Sequence, residues 1–363
     1  MRAAIVDREP DTNAQIVNSY KYAASLVSSV VSNGYLGMVK TIPQMYRFIY
    51  ARAERATDVG PFRTWIHQFT ATNLRALLER TKPDVVVCTH AFPCGVMSEY
   101  KNQFADSPPV VGVVTDFAVH SFWIHTNIEG YAVATEDMRQ TLIARGVRPE
   151  RIIVSGIPVN ANFIAPPADR QALRDELGIP KDRAALLLMG GGLGIGPLEM
   201  MLKALGTVQE PLSATVIVGR NTRLQERIMQ VAQRVDYPIR VLSFVDNVYD
   251  YMHASDLLLT KPGGLTSAEA LVSGIPMVLV KPLPGQEERN TRYLVERKAA
   301  LRGKNERDLA RKVSTFLRTP ERRSTMLAAI AQLAKPNAAE DIANLTINIA
   351  RAQHERNDDA ALV

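Results

Sequence analysis

Pro262 to Pro276 reads PGGLTSAEALVSGIP, and its flanks decide how the region folds. Leu257, Leu258 and Leu259 make a short apolar run of strand type, Pro262-Gly263-Gly264 breaks it, and Thr266-Ser267-Ala268-Glu269 has the spacing of a capping box opening an apolar helix. A strand passed through a glycine turn into a helix leaves the first helical N–H groups open. Together with the helix dipole they favour an anion such as a phosphate. A second turn of this kind lies upstream, where AALLLMG (Ala184 to Gly190) runs into GGLGIGP (Gly191 to Pro197) and then LEMMLKAL. If the fold brings the two turns together, one diphosphate can be held between two helix ends.

Outward from these turns, short apolar strands alternate with amphipathic helices. After them, helices are expected over 308–318, 321–334 and 338–355. Before them come a helix from Arg170 to Leu177, the strand Ala184 to Met189, and further strands at 214–218, 239–242, 256–259 and 277–280. The segment PVNANFIAPPAD, Pro158 to Asp169, carries three prolines and reads as an interdomain linker. Upstream of it the alternation recurs, with strands at 85–88, 110–114, 131–134 and 152–154 and helices at 74–80 and 136–145. Residues 3–6 read as a strand and 13–31 as a helix. The fold class is α/β, with two doubly wound domains. Their boundaries are 1–157 and 170–336, joined by the 158–169 linker and followed by a C-terminal helix and tail at 337–363.

A chain of 363 residues with 46% hydrophobic and 22% charged residues is long enough for two cores and has the composition of a globular protein. It holds no apolar run of the length that spans a bilayer. Cys88 and Cys94 match no common zinc spacing and are too few for a disulfide framework, so reduced thiols in the cytoplasm are expected. The net charge of +6 suits polyanionic partners. From Gly34 to Phe69, aromatic and aliphatic residues interleave with Lys40, Arg47, Arg52, Arg55 and Arg63, against only Glu54 and Asp58. That mixture fits a surface lying in an anionic lipid interface. It equally fits amphipathic helices packed on a core. No nucleic-acid motif accompanies it.

The loop Gly190 to Gly196 is neither a G-x-G-x-x-G fingerprint nor a P-loop, and the next strand ends in Gly219-Arg220-Asn221 where a nicotinamide enzyme would carry an acidic residue. Glu269 has two readings, a capping carboxylate or an acceptor for ribose hydroxyls. Pro284-Gly285-Gln286-Glu287-Glu288-Arg289-Asn290 is dense in groups that hydrogen-bond sugar hydroxyls, unless it is a solvated loop.

The order GGGLGIG, GRN, SFVDNVYDYMHASDLLLTKPGGLTSAEALVSGIPMV and PGQEERN resembles the donor domain of the glycosyl diacylglycerol synthases. These are the monogalactosyldiacylglycerol synthases and processive diacylglycerol glucosyltransferases, related to the peptidoglycan lipid-intermediate transferase. TDFAVHSFWIH, YAVATEDMRQTLIARGV and IIVSGIPV are similar to the acceptor domain of that family. The resemblance implies two facing Rossmann-like domains of GT-B architecture, inversion at the anomeric carbon, a UDP-sugar donor, a membrane lipid acceptor and no bound metal or other cofactor. Uracil would lie near Phe244 and Val245, and ribose at Glu269. Gly191, Gly192 and Gly194 with Gly264, Leu265, Thr266 and Ser267 would hold the diphosphate, assisted by Arg220. Gln286 and Glu287 would face the hexose, and Asn290 would belong to the same donor site. The family's opening strand and Gly-x-Gly-His loop have no counterpart here, and Met1 aligns with its second strand. If the chain continues before Met1, the preceding segment is expected to supply them; if it does not, the alignment of Met1 with the second strand fails. The general base is left among His90, Asp116, His120 and His125. The expectation is a hexosyltransferase acting on a lipid such as diacylglycerol, peripheral on the cytoplasmic face of a membrane. A nucleotide-sugar epimerase and a non-catalytic nucleotide-sugar sensor are the alternatives.

Overall fold

The computed structural model describes residues 1–22, 61–191 and 196–361. Gly192 and Gly194, and residues 34–60 of the basic aromatic stretch, lie outside them. The chain divides into two compact units, Met1–Pro158 with Pro284–Gln286 and Asn337–Val363, and Val159–Leu283 with Glu287–Pro336.

In the first unit, helices α1 (Arg2–Arg8) and α2 (Pro61–Thr81) precede strand β1 (Val86–Cys88), helix α3 (Ala91–Gln103), β2 (Val110–Val113), β3 (Gly130–Val133), α4 (Glu136–Ile143) and β4 (Ile152–Val154). The strands form a parallel sheet in the order β1-β2-β3-β4. β2 and β3 are buried throughout, as the continuous apolar runs of a parallel sheet covered on both faces require.

The second unit runs α5 (Arg170–Glu176), β5 (Ala184–Met189), α6 (Leu198–Leu205), β6 (Leu212–Ile217), α7 (Thr222–Ala232), β7 (Ile239–Leu242), α8 (Val248–Ala254), β8 (Leu257–Thr260), α9 (Gly264–Val272), β9 (Met277–Val280), α10 (Gln286–Glu296), β10 (Ala300–Gly303), α11 (Glu306–Arg318) and α12 (Pro320–Leu333). Its parallel sheet has the order β10-β9-β8-β5-β6-β7, the doubly wound arrangement with its topological switch between β5 and β8. Leu186, Leu187 and Leu188 pair in register with Leu257, Leu258 and Leu259, and all of them are fully buried. The last helix, α13 (Ala338–Ala361), belongs to the first unit, where Ile342 packs with Val111, Val113 and Ala132.

Several expectations are corrected. Residues 3–6 are helical, because α1 lies on α13. Met1 packs against the Val111–Ile342 cluster, and Arg8 donates to Asn344 Oδ1 at 2.7 Å and to Glu340 at 3.2 Å. Met1 therefore does not begin a strand. Residues 13–18 are irregular, so the described part of the expected 13–31 helix is only a short turn at Ser19–Lys21. Helices α3 and α10 and strand β10 were not anticipated. Finally, α9 is capped by Gly263 and begins at Gly264, ahead of Thr266. Thr266 lies inside the helix and does not cap it, and Glu269 lies too far along to close a capping box.

Candidate functional site

Met189 pairs with Thr260, so the turn at Gly190 and the turn at Lys261-Pro262-Gly263 leave neighbouring strands side by side at the carboxyl edge of the sheet. This is where open α/β sheets bind ligands. Gly191 sits at φ +76, a left-handed conformation that disfavours any side chain. Gly263 is different. Its φ of -71 and ψ of 141 suit any residue, and a Cβ built on it would meet nothing within 4 Å. Neither backbone nor packing needs a glycine there, and the missing side chain leaves open space directly over the start of α9.

Two side chains of α9 have no protein partner among the described residues. Ser267 is fully buried, and its Oγ makes no hydrogen bond. Glu269 is half-buried, makes no hydrogen bond or ion pair among the described residues, and has its pKa pushed up to about 7 by desolvation. Native structures rarely strand buried polar groups, since each costs free energy. Leu265 is exposed beside these two side chains.

Around this centre, the Arg220 guanidinium lies 4.4 Å from the centroid of the Phe244 ring, and both side chains are exposed at the ends of β6 and β7. Val245 follows, half-buried. Glu287, in the first turn of α10, accepts from Lys261 Nζ at 2.9 Å and from the Leu283 N–H at 2.8 Å. Asn290 is fully buried, and its Nδ2 donates to the Pro262 carbonyl at 3.1 Å. It thus ties α10 to the turn. Lys261 and Gly263 belong to this site and were not singled out in the sequence, since their roles depend on neighbours contributed by β5 and α10.

In the first unit the polar groups at the strand ends are already engaged. His90 Nδ1 accepts the Phe92 N–H at 3.2 Å as the cap of α3, and His120 Nδ1 accepts the Phe122 N–H at 3.2 Å. In each neutral ring the proton then resides on Nε2, so neither can take another without giving up its cap. His120 is also buried. His125 Nε2 approaches the Phe122 carbonyl at 3.2 Å, and the Tyr131 hydroxyl accepts the His125 N–H at 3.1 Å while donating to the Trp123 carbonyl at 2.8 Å. Asp116, half-buried just beyond β2, accepts from Gln286 Nε2 at 3.0 Å. Among the described residues no group of His, Cys, Asp and Glu could hold a metal ion, and no helix is long and apolar enough to cross a membrane.

The comparisons place this geometry. Residues 2–159 match the monogalactosyldiacylglycerol synthase family, and residues 186–344 match the glycosyltransferase family 28 C-terminal domain, which contains both turns, Ser267 and Glu269. The chain is a UDP-sugar glycosyltransferase, similar along its length to the glycosyl diacylglycerol synthases. The enzyme is 28% identical over 329 residues to the processive diacylglycerol beta-glucosyltransferase of Bacillus cytotoxicus, covering 90% of this chain and 84% of the relative. It is 27% identical over 331 residues to the protein of the same name from Bacillus licheniformis, covering 91% and 85%. Among solved structures it is similar to MurG of Acinetobacter baumannii, with a TM-score of 0.59 at 18% identity over 78% of this chain and 79% of that one. It is also similar to S. aureus MnaA in its co-structure with UDP, with a TM-score of 0.59 at 17% identity over 79% and 81%. At those identities the structural likeness speaks for the fold, which is the GT-B type expected from the sequence. The activity is carried by the family matches.

Proposed function

We propose that the enzyme transfers a hexose from a UDP-sugar to the hydroxyl of a membrane glycerolipid such as diacylglycerol, with inversion. The observation that carries this reading is the pair of turns at the β5/β8 switch point, with the unpartnered Ser267 Oγ and Glu269 carboxylate on the helix that follows the second turn. The α9 N–H groups, Ser267 and the Gly191 turn bind the diphosphate, Arg220 adds positive charge, and Glu269 accepts from the ribose hydroxyls. Uracil lies by Phe244 and Val245, and Gln286 and Glu287 meet the hexose. In the transfer the lipid oxygen forms a bond to the anomeric carbon as the bond from that carbon to the diphosphate oxygen breaks. UDP departs with the electron pair, and the hydroxyl proton passes to a base. Asp116 takes that proton, because the Nδ1 atoms of His90 and His120 are committed to backbone caps. The acceptor being a lipid, the enzyme works at a membrane surface, with the basic aromatic stretch from Gly34 to Phe69 as its contact.

The test is to incubate the protein with UDP-glucose or UDP-galactose labelled in the sugar and vesicles containing diacylglycerol, then extract the lipid. Label in the organic phase supports the reading. Label that stays in water as an epimerised nucleotide sugar, or donor that binds without turnover, refutes it.

A further inference from the structure

Lys261 joins three loops of the second unit. It follows β8. Its methylene chain runs past Gly191, the second residue after β5, where a Cβ would meet Lys261 Cε at 2.8 Å and push the lysine off this path. Its ammonium ends on Glu287 Oε1 at 2.9 Å, while the other carboxylate oxygen holds the Leu283 N–H in the loop after β9, at 2.8 Å. The pair is mostly sequestered, with the Lys261 side chain 24% exposed and that of Glu287 13%. A carboxylate fixed at both oxygens has one rotamer, and each oxygen keeps a second lone pair for a further donor. A lysine threaded past the diphosphate turn and fastened to the carboxylate at the sugar end links the two halves of the donor site.

We infer that Lys261 is a positioning residue that aims Glu287 at the hexose of the donor, so that its effect falls on recognition of the sugar and not on recognition of the nucleotide. The inference rests on the reading of the β5/β8 edge as a UDP-sugar site. A cation holding Glu287 immobile favours hydrogen bonds from sugar hydroxyls, because the ordering cost has been met before the ligand arrives.

The experiment compares calorimetric affinities for UDP and for UDP-glucose and UDP-galactose in the wild type, Lys261→Met, Lys261→Arg and Glu287→Gln, with thermal melting of each variant as a control. Lys261→Met keeps the length of the side chain and removes its charge. It is expected to leave UDP affinity nearly unchanged and to weaken the preferred UDP-hexose by roughly tenfold. Lys261→Arg should recover much of that loss. Glu287→Gln, which keeps an acceptor for Leu283, should show the same selective loss even if Lys261→Met folds poorly. The double variant should be no worse than the single ones. An equal loss for UDP and UDP-hexose would mean that Lys261 acts on the diphosphate and would overturn the inference. So would no change for either ligand. Wild-type protein that binds neither UDP nor a UDP-hexose would instead sink the donor-site reading itself.

Discussion

The carboxyl edges of the two sheets hold similar side chains in opposite states. In the second unit, Ser267 and Glu269 are kept without partners, Gly263 leaves space no neighbour fills, and the carboxylate is held near neutrality by burial. In the first unit, His90 and His120 cap local helices, Tyr131 secures the backbone at His125, and Asp116 accepts from Gln286. One edge leaves a buried hydroxyl and a desolvated carboxyl without protein partners. The other uses its polar groups to hold shape and leaves few for chemistry.

The contrast breaks most visibly at Asp116. Asp116→Asn keeps an acceptor for Gln286 but cannot take a proton, so transfer to lipid should fall by about 10²-fold or more, while UDP-glucose affinity stays near the wild-type value. Steady-state transfer rates set beside calorimetry decide it. Retained transfer would move the base to His125.

Gly263→Ala separates ligand from fold. Since the backbone conformation suits alanine and the new methyl meets no protein atom within 4 Å, the melting temperature should hold or rise slightly. Donor affinity should fall by about tenfold, because the methyl occupies the ligand's space. A variant that melts early yet binds normally would show that the open space belongs to the fold.

Glu269→Gln should both stabilise the unliganded enzyme and weaken donor binding. The folded pKa of about 7 lies above the ordinary 4.5. The contribution of Glu269 to stability is therefore fully present below about pH 4.5 and is lost as pH rises through 7, at a cost of about 3 kcal/mol. Glutamine escapes that cost. Melting curves should show the variant above wild type at pH 8, with the gap closing toward pH 4.5. UDP-glucose affinity at pH 8 should drop about tenfold with loss of the charge-assisted bonds. Wild type that melts no lower than the variant at pH 8 would contradict the unpartnered carboxylate.

The smallest effect is expected at His90. His90→Ala removes the cap of α3, at about 1 kcal/mol or about 2–4 °C in melting temperature, and should leave donor affinity unchanged and transfer of wild-type order. A large loss of transfer without a loss of stability would return His90 to the chemistry.

Much of the second unit was legible in the sequence because its strands are unbroken apolar runs, and Leu186–Leu188 and Leu257–Leu259 could be nothing but buried strands. The start of α9 was misplaced because Thr266 and Glu269 imitate a capping box, whereas Gly263 caps through backbone alone. Helix α3 was hidden by Pro93 and Gly95. The proline falls in the first turn, where helical N–H groups have no intrahelical partner. The glycine is demanded by His67, whose ring would lie 2.4 Å from a Cβ there. α10 looked like a polar loop because its charged face is read without the β9 loop that Glu287 holds. The engaged state of His90 and His120 could not be read at all, since a cap depends on where the next backbone N–H points.

That the donor edge is built and waiting is tested most directly by counting protons on binding. Calorimetry of UDP-glucose at pH 7, repeated in buffers of different ionisation enthalpy, reads the protons released as Glu269 ionises to accept from the ribose. With a pKa of about 7 in the unliganded protein, roughly half a proton per site should leave wild type and none should leave Glu269→Gln. Binding that releases no proton from wild type, or the same number from both proteins, would contradict it.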